Sequence, residues 1–261
     1  MKHLRTLIAL INVTLQFIVF SPWMFYYKHL SKVRGEENLK KRDKKAPKFI
    51  QYMSKRILWW GGHEVTVTGA ENIPDETCVL VGNHQSYFDI LAILSTCDTD
   101  KMYGYLAKSG IDKVPFLRTW MRIIDCVFIE LGSTRGSMDA VRQCSALVKE
   151  GRSMHIFPEG TRSKGNFMNP FSPGALMIAS RCGVPVVPFL INGTYKMFEA
   201  NGNRMVPSKV TITYYPPIPT EGLNRAEVHE LSDKIHDFLE EELRKANGGL
   251  DENPKLKETA E

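Results

Sequence analysis

The chain has 261 residues, 43% hydrophobic and 24% charged, with no internal repeat or low-complexity segment, which excludes a repeat array and leaves one large α/β domain plus an appendage. Its net charge of +5 is unevenly placed: residues 1–56 carry 13 Lys and Arg against 3 Asp and Glu, and the remainder carries 21 against 26. The five cysteines, Cys78, Cys97, Cys126, Cys144 and Cys182, include no Cys-x-x-Cys pair; they read as buried thiols in a reducing compartment, not as a disulfide scaffold.

The first element is a 22-residue stretch, Thr6 to Tyr27, without Lys, Arg, Asp or Glu. At about 1.5 Å rise per residue it is long enough to cross a bilayer. Asn12, Thr14, Gln16, Ser21 and Pro22 dilute it, while Trp23, Phe25, Tyr26 and Tyr27 suit an interface. Lys2 and Arg5 before it and Lys28 and Lys32 after it give no clear orientation. It lacks the small-residue cleavage site of a signal peptide and is expected to be retained, either spanning the bilayer or dipping into one leaflet. Basic residues beside an apolar segment point to an anionic membrane surface as partner, with no nucleic acid. Lys32 to Lys48 is expected to be a charged, exposed connector. Phe49, Ile50, Met53, Ile57 and Trp60 then recur at helical spacing, among Lys48, Gln51, Lys55 and Arg56. That second helix either lies on the membrane surface or packs on the domain. Residues 1–60 are thus expected to form an N-terminal membrane-associating helical segment.

Glu64 to Thr68 alternates as an edge strand, and residues 69–74 form a turn. Cys78-Val79-Leu80-Val81 is short, apolar and Val-rich, as suits a strand covered on both faces of a sheet. It runs into the polar cluster Gly82-Asn83-His84-Gln85-Ser86-Tyr87-Phe88-Asp89. Ser86 and Asp89 have the Ser-x-x-Asp spacing of a helix start, and Ile90, Leu91, Ile93 and Leu94 continue at helical intervals. His84 therefore sits in the turn. Two residues five apart on a regular helix point about 140° away from each other. With His84 in the turn and Asp89 in the first helical turn, the carboxylate reaches one imidazole nitrogen and leaves the other as a base. The competing reading, in which Asp89 caps a helix and His84 bonds a loop, is not overturned by spacing alone.

Met102 to Ala107 reads as a strand ending at Lys108. A helix follows over Gly136 to Glu150, with Ala140, Val141, Cys144, Leu147 and Val148 inward and Gly151 as its cap. The core strand Ser153 to Phe157 delivers Phe157-Pro158-Glu159-Gly160-Thr161-Arg162-Ser163. Such a loop suits a phosphate: Gly160 lets the backbone approach, Thr161 donates, and the Arg162 fork holds two oxygens. It is not a P-loop. The alternative for Arg162 is a salt bridge to Glu159 or another neighbour. A helix over Gly174 to Cys182, a buried strand shaped by Pro185 and Pro188, a strand over Lys209 to Tyr215 and an amphipathic helix over Arg225 to Lys245 complete the domain. Gly248 to Glu261 is expected to be a disordered polar tail. The fold class is α/β, a largely parallel sheet with helices on both faces, with domain limits 61–247.

Asn83-His84 with Asp89 resembles the Asn-His-x-x-x-x-Asp signature of the glycerolipid acyltransferases, specifically the 1-acylglycerol-3-phosphate acyltransferase family. Phe157 to Ser163 matches that family's third block residue for residue, and Gly183 to Phe189 resembles the fourth. Lys108 resembles the family Lys that faces the acceptor phosphate. Asp125 to Glu130 occupies the second block, usually Phe-Ile-Asp-Arg, but departs from it: Glu130 replaces the acid and Leu131 stands in place of Arg. Either Arg135 reaches the same place or the block contributes less. The resemblance spans about residues 63–220.

What it implies is transfer of a fatty acyl group from acyl-CoA or acyl-carrier protein to lysophosphatidic acid, giving phosphatidic acid. His84 and Asp89 would be catalytic, with Asn83, Lys108, Glu159, Gly160, Thr161 and Arg162 at the substrate. No cofactor or metal is implied, and the enzyme would sit at the cell membrane with its catalytic domain on the cytoplasmic side. Asn83 and backbone N–H groups at the helix start are the expected oxyanion donors. Ser86 lacks a Gly-x-Ser-x-Gly elbow, so direct transfer is expected. Glycerol 3-phosphate or another lysophospholipid is the alternative acceptor. A thioesterase or lipid hydrolase and an idle membrane-binding module are the competing classes.

Overall fold

In the computed structural model the described residues are 2–33, 35–114, 116–130 and 132–251. Short segments of three to seven residues form the strands: β1 (Glu64–Thr68), β2 (Val79–Gly82), β3 (Tyr103–Lys108), β4 (Val127–Ile129), β5 (Ser153–Ile156), β6 (Val186–Asn192) and β7 (Lys209–Tyr214). They make one sheet in the order β1-β7-β6-β2-β5-β3-β4. Only β6 and β7 pair antiparallel; the other five pairings are parallel. The expected α/β class with a largely parallel sheet is present, and β1 lies at the edge.

Alternation along β2 distributes its side chains between two layers. Leu80 joins a core formed with α2 (Ser21–Lys32), α3 (Glu36–Gly61), α4 (Asp89–Thr96) and α5 (Leu117–Ile123). Val79 and Val81 face the other side, where α6 (Thr134–Lys149), α7 (Gly174–Cys182) and α8 (Arg225–Asn247) supply Ala140, Cys144, Leu176, Ile178 and Leu239. β2 is buried along its whole length and carries no polar side chain, as suits a strand covered on both faces. Because β6, β2 and β5 are parallel neighbours, their carboxyl ends open side by side, and polar groups gather just beyond them.

The apolar N-terminal stretch is two helices rather than one span. α1 (Lys2–Val19) meets α2 at a 53° bend, and no single helix among the described residues is long and apolar enough to cross a membrane, although the bent pair together is. Pro22 sits at the start of α2, where its missing N–H and fixed φ begin a helix but do not extend one. Along α1, Leu4, Leu7, Leu10, Ile11, Leu15 and Ile18 remain exposed.

Lys32 to Lys48, expected as an exposed connector, is mostly helix. α3 runs for 26 residues from Glu36, and its charges find partners. Glu36 pairs with Lys40 and Glu37 with Lys41 one turn on. Arg42 is buried, 4% exposed, and its two Nη atoms donate to the Asp125 carboxylate at 2.9 Å each. Its Nε donates to Asp43, and Arg152 Nε lies 3.1 Å from Asp125. This network binds α3 to the segment before β4 and to the start of β5. Further along, Ile50, Met53 and Ile57 are buried, whereas Trp59 and Trp60 are exposed.

The expected tail begins in ordered contact: Asp251 N donates to Asn166 O, Asn166 N returns to Asp251 Oδ2, and Asn166 Nδ2 donates to Gly249 O. The rest of that tail, residues 252–261, lies outside the described residues.

Removing one partner of a buried ion pair leaves an uncompensated charge, at a cost of about 3 to 5 kcal/mol. Arg42→Met should therefore lower the free energy of unfolding by about 3 kcal/mol in urea titrations. A loss within 0.5 kcal/mol would mean the network contributes nothing net.

Candidate active site

The turn after β2 begins with two residues that lock it to β6. A Cβ on Gly82 would come within 2.4 Å of the Phe189 carbonyl oxygen, so only glycine allows this strand approach. Asn83 is fully buried: its Nδ2 donates to Ile191 O at 2.9 Å and its Oδ1 accepts from Ile191 N at 2.7 Å. Asn83, expected as an oxyanion donor, spends its oxygen and one amide N–H as a clamp between strand ends.

His84 lies beyond the clamp, partly exposed, with its ring stacked on Phe157 at 4.4 Å and 16°. Its Nδ1 is 2.6 Å from Asp89 Oδ2. A carboxylate only accepts, so Nδ1 carries a proton and, in the neutral ring, Nε2 presents its lone pair. Nε2 has no hydrogen-bond partner among the described residues. Asp89 is fully buried, at the first residue of α4. Its Oδ2 also accepts the N–H groups of Gln85 (2.7 Å) and Ser86 (3.0 Å), and its Oδ1 accepts the Thr194 hydroxyl.

Ser86 does not cap α4, contrary to its Ser-x-x-Asp spacing. The residue before the helix is Phe88, which makes no side-chain cap. Ser86 Oγ instead donates to Glu199 Oε2 at 2.7 Å and accepts from Phe88 N at 3.1 Å. The remaining N–H groups of the turn are satisfied by carboxylates: His84 N donates to Glu159 Oε1 at 2.6 Å and Tyr87 N to Glu199 Oε1 at 3.1 Å. The backbone donors expected for an oxyanion between His84 and Phe88 are therefore all engaged.

The loop after β5 meets this turn edge to edge, with Ser163 N donating to His84 O at 2.8 Å and Lys164 N to Gln85 O at 3.1 Å. Glu159 is buried, and its Oε2 accepts the backbone and side-chain N–H groups of Asn169 at 2.8 and 2.7 Å. Burial pushes its carboxyl up to about 7, against the pull of these donors. Its oxygens hold the framework and do not face outward. Gly160 adopts φ +63° and is exposed together with Thr161. Arg162 pairs with Glu199, not with Glu159: Nη1 is 2.8 Å from Glu199 Oε1, and the guanidinium carbon lies 3.3 Å from the centre of the Tyr87 ring. Its Nε and Nη2 have no partner among the described residues.

Lys108 ends β3 exposed, without a hydrogen-bond or ion-pair partner among the described residues. Glu130 and Arg135 are exposed near the end of β4. Leu131, on which the second-block comparison turned, lies outside the described residues. Thr194, Asn169 and Glu199 were not singled out from the sequence. Thr194 and Glu199 lie more than 100 positions from the turn they meet, whereas Asn169 is 10 residues from Glu159 in the same loop region.

The Acyltransferase family profile matches residues 64–192, from β1 to the end of β6. A 1-acyl-sn-glycerol-3-phosphate acyltransferase of Borreliella burgdorferi is 30% identical over 187 residues, 71% of this chain and 74% of that protein. This chain belongs to that family. A chloroplastic 1-acyl-sn-glycerol-3-phosphate acyltransferase of Brassica napus is 37% identical over 162 residues, which are 59% of this chain. The matched part is 46% of that relative and 48% of an Arabidopsis thaliana one, so the chain spans about half the length of these two. The crystal structure of the 1-acyl-sn-glycerophosphate acyltransferase PlsC from Thermotoga maritima superposes with a TM-score of 0.75 at 28% identity, covering 93% of this chain and 97% of that one. The resemblance read from the three short blocks thus extends over nearly the whole fold.

Glu159 offers a pH test of the site's framework. A carboxyl with a folded pKa of about 7 and an ordinary value of 4.5 binds more protons folded than unfolded between those limits. The stability it contributes is complete below about pH 4.5 and lost as pH rises through 7, by up to about 3 kcal/mol. Comparing urea midpoints at pH 5 and pH 7.5, wild type should lose more stability than Glu159→Gln. An equal loss in both proteins would place the ionisation of Glu159 outside this range.

Proposed function

We propose that the chain transfers a fatty acyl group from a thioester, acyl-CoA or acyl-carrier protein, to the free hydroxyl of lysophosphatidic acid, giving phosphatidic acid. The observation that carries this reading is the His84 ring, locked at Nδ1 by buried Asp89 and open at Nε2, in one framework with Arg162. An alcohol is a poor nucleophile at neutral pH. His84 Nε2 takes its proton as the oxygen attacks the thioester carbonyl, and Asp89 holds the resulting imidazolium. When the tetrahedral adduct collapses, the C–S bond breaks and the departing sulfur takes the proton from Nε2. No residue need be acylated on this route.

The oxyanion requires donors that the His84 turn does not have free. The Thr161 and Arg162 backbone N–H groups donate to nothing among the described residues, and their loop is bonded to the turn, which makes them the favoured candidates. For the acceptor phosphate, the free Nε and Nη2 edge of Arg162 offers a bidentate fork, with Thr161 beside it and Lys108 as a further cation. No cofactor or metal enters this mechanism.

We further propose that the protein works on a cell membrane, with its catalytic domain on the cytoplasmic side. The exposed Leu and Ile side chains of α1, the exposed aromatics Trp23, Phe25, Tyr26, Trp59 and Trp60, and the basic N-terminal quarter support this reading. Five free cysteines suit a reducing compartment.

With labelled acyl-CoA and lysophosphatidic acid, His84→Ala should lose activity by about 10²-fold or more while remaining folded. Near-normal turnover would end the mechanism, and release of free fatty acid without acceptor would indicate a hydrolase. Arg162→Ala should raise KM for lysophosphatidic acid about tenfold to a hundredfold, with Arg162→Lys recovering part. A rise confined to the donor KM would reassign Arg162 to the donor's phosphates.

Truncation to residue 45 would cut α3 and remove Arg42, so a membrane test needs the full chain. Replacing Leu7, Ile11 and Ile18 together by Gln should weaken binding to anionic phospholipid vesicles by about tenfold or more, since each apolar side chain contributes about 1 kcal/mol or more when buried. Unchanged partition would move the contact elsewhere.

A further inference from the structure

Glu199 is a carboxylate that the reaction does not require and whose local sequence does not explain it. It lies in a 3-10 turn, Glu199–Asn201, beyond the end of β6. Three donors from two other parts of the chain converge on it. Ser86 Oγ donates to Oε2 at 2.7 Å; the Tyr87 N–H (3.1 Å) and Arg162 Nη1 (2.8 Å) both donate to Oε1. Two of these donors belong to the turn that carries His84. The third is the guanidinium proposed to bind the acceptor phosphate.

We propose that Glu199 is a positioning residue for the acceptor: it fixes the Arg162 guanidinium relative to His84, so that a bound phosphate places its hydroxyl at Nε2. The inference rests on the acceptor role of Arg162. Three observations favour positioning over competition, in which Glu199 would merely occupy Arg162 until substrate arrives. The Glu199 side chain is 5% exposed and Arg162 is 17% exposed, so the carboxylate lies behind the guanidinium and not in front of it. Ser86 and Tyr87 anchor that carboxylate whether or not Arg162 is present. Only Nη1 is consumed, which leaves the Nε and Nη2 edge for a ligand. An Arg side chain on a surface loop samples many rotamers, and ordering it on binding costs affinity. Here a carboxylate on one side and the Tyr87 ring on one face have already removed that freedom. The two loop contacts also fix the spacing between phosphate site and base. Acceptors are thereby sorted by the distance between their anionic group and their hydroxyl.

The test is a double-mutant cycle on the full-length protein, with acyl-CoA and lysophosphatidic acid and with KM resolved for each. Glu199→Ala should raise the acceptor KM about tenfold, the value of one charge-assisted hydrogen bond, while leaving the donor KM within twofold. Glu199→Gln retains the shape and one acceptor oxygen, and should recover part of the loss. In an Arg162→Ala background the same Glu199→Gln change should leave the acceptor KM unaltered, because nothing remains to position. Thermal unfolding of each variant separates loss of fold from loss of position, and Glu199→Gln carries the test if Glu199→Ala does not fold. A lower acceptor KM in Glu199→Gln would mean competition and overturn the proposal. So would an equal KM rise with and without Arg162. Should Arg162→Ala itself leave the acceptor KM unchanged, the reading of Arg162 fails first, and that result is visible in the single mutant alone.

Discussion

The site depends on a charge that has been taken out of water. The Asp89 carboxylate is fully buried, and an ion in that position costs several kcal/mol unless donors replace its hydration. Four do so here: the His84 ring, two backbone N–H groups of the same turn, and the Thr194 hydroxyl from beyond β6. The start of α4 adds the positive end of a helix. Each donor is fixed in return, so the tautomer of His84, the shape of its turn and the distance from β2 to the segment after β6 are consequences of a single solvation requirement.

Two further acidic side chains collect donors from the same turn. Glu159 takes the His84 N–H and joins it to Asn169, and Glu199 takes the Tyr87 N–H and joins it to Ser86 and Arg162. A turn between a strand and a helix would ordinarily leave such N–H groups to water. Here none between His84 and Phe88 is left to it, and the catalytic geometry needs no water to hold it. Parallel pairing of β2 with β5 and β6 makes this possible, because it brings three loop ends to one place.

What was legible in the sequence follows from distance along the chain. His84 and Asp89 are five residues apart, and helical geometry alone requires one of them to be in the turn; the structure has that arrangement. The strand β2 was legible because burial on both faces goes with its apolar run, whereas β5 is buried as fully yet carries Ser153 and His155. Ser86 misled because its spacing fits a cap while its hydroxyl is drawn to Glu199, a residue 113 positions away. Residues 36–48 misled because charge density reads as exposure, whereas Arg42 is buried against Asp125, 83 positions on. Asn83 carries the family signature, yet its amide closes on Ile191, which no motif near it announces. In each case the missing information was a partner supplied by topology.

The long reach of these contacts sets an order of events in folding. The bonds that shape the turn close loops of 75 residues to Glu159, 105 to Thr194 and 113 to Glu199. Loop-closure entropy makes such contacts unfavourable until the intervening chain is already compact. Strands β2, β5 and β6 must therefore be paired before Glu159, Thr194 and Glu199 can close on the turn. A chain still half collapsed has His84 and Asp89 close in sequence but not the framework around them. The full set of bonds around His84 is in place only with the last contacts made, after the sheet that carries it is complete.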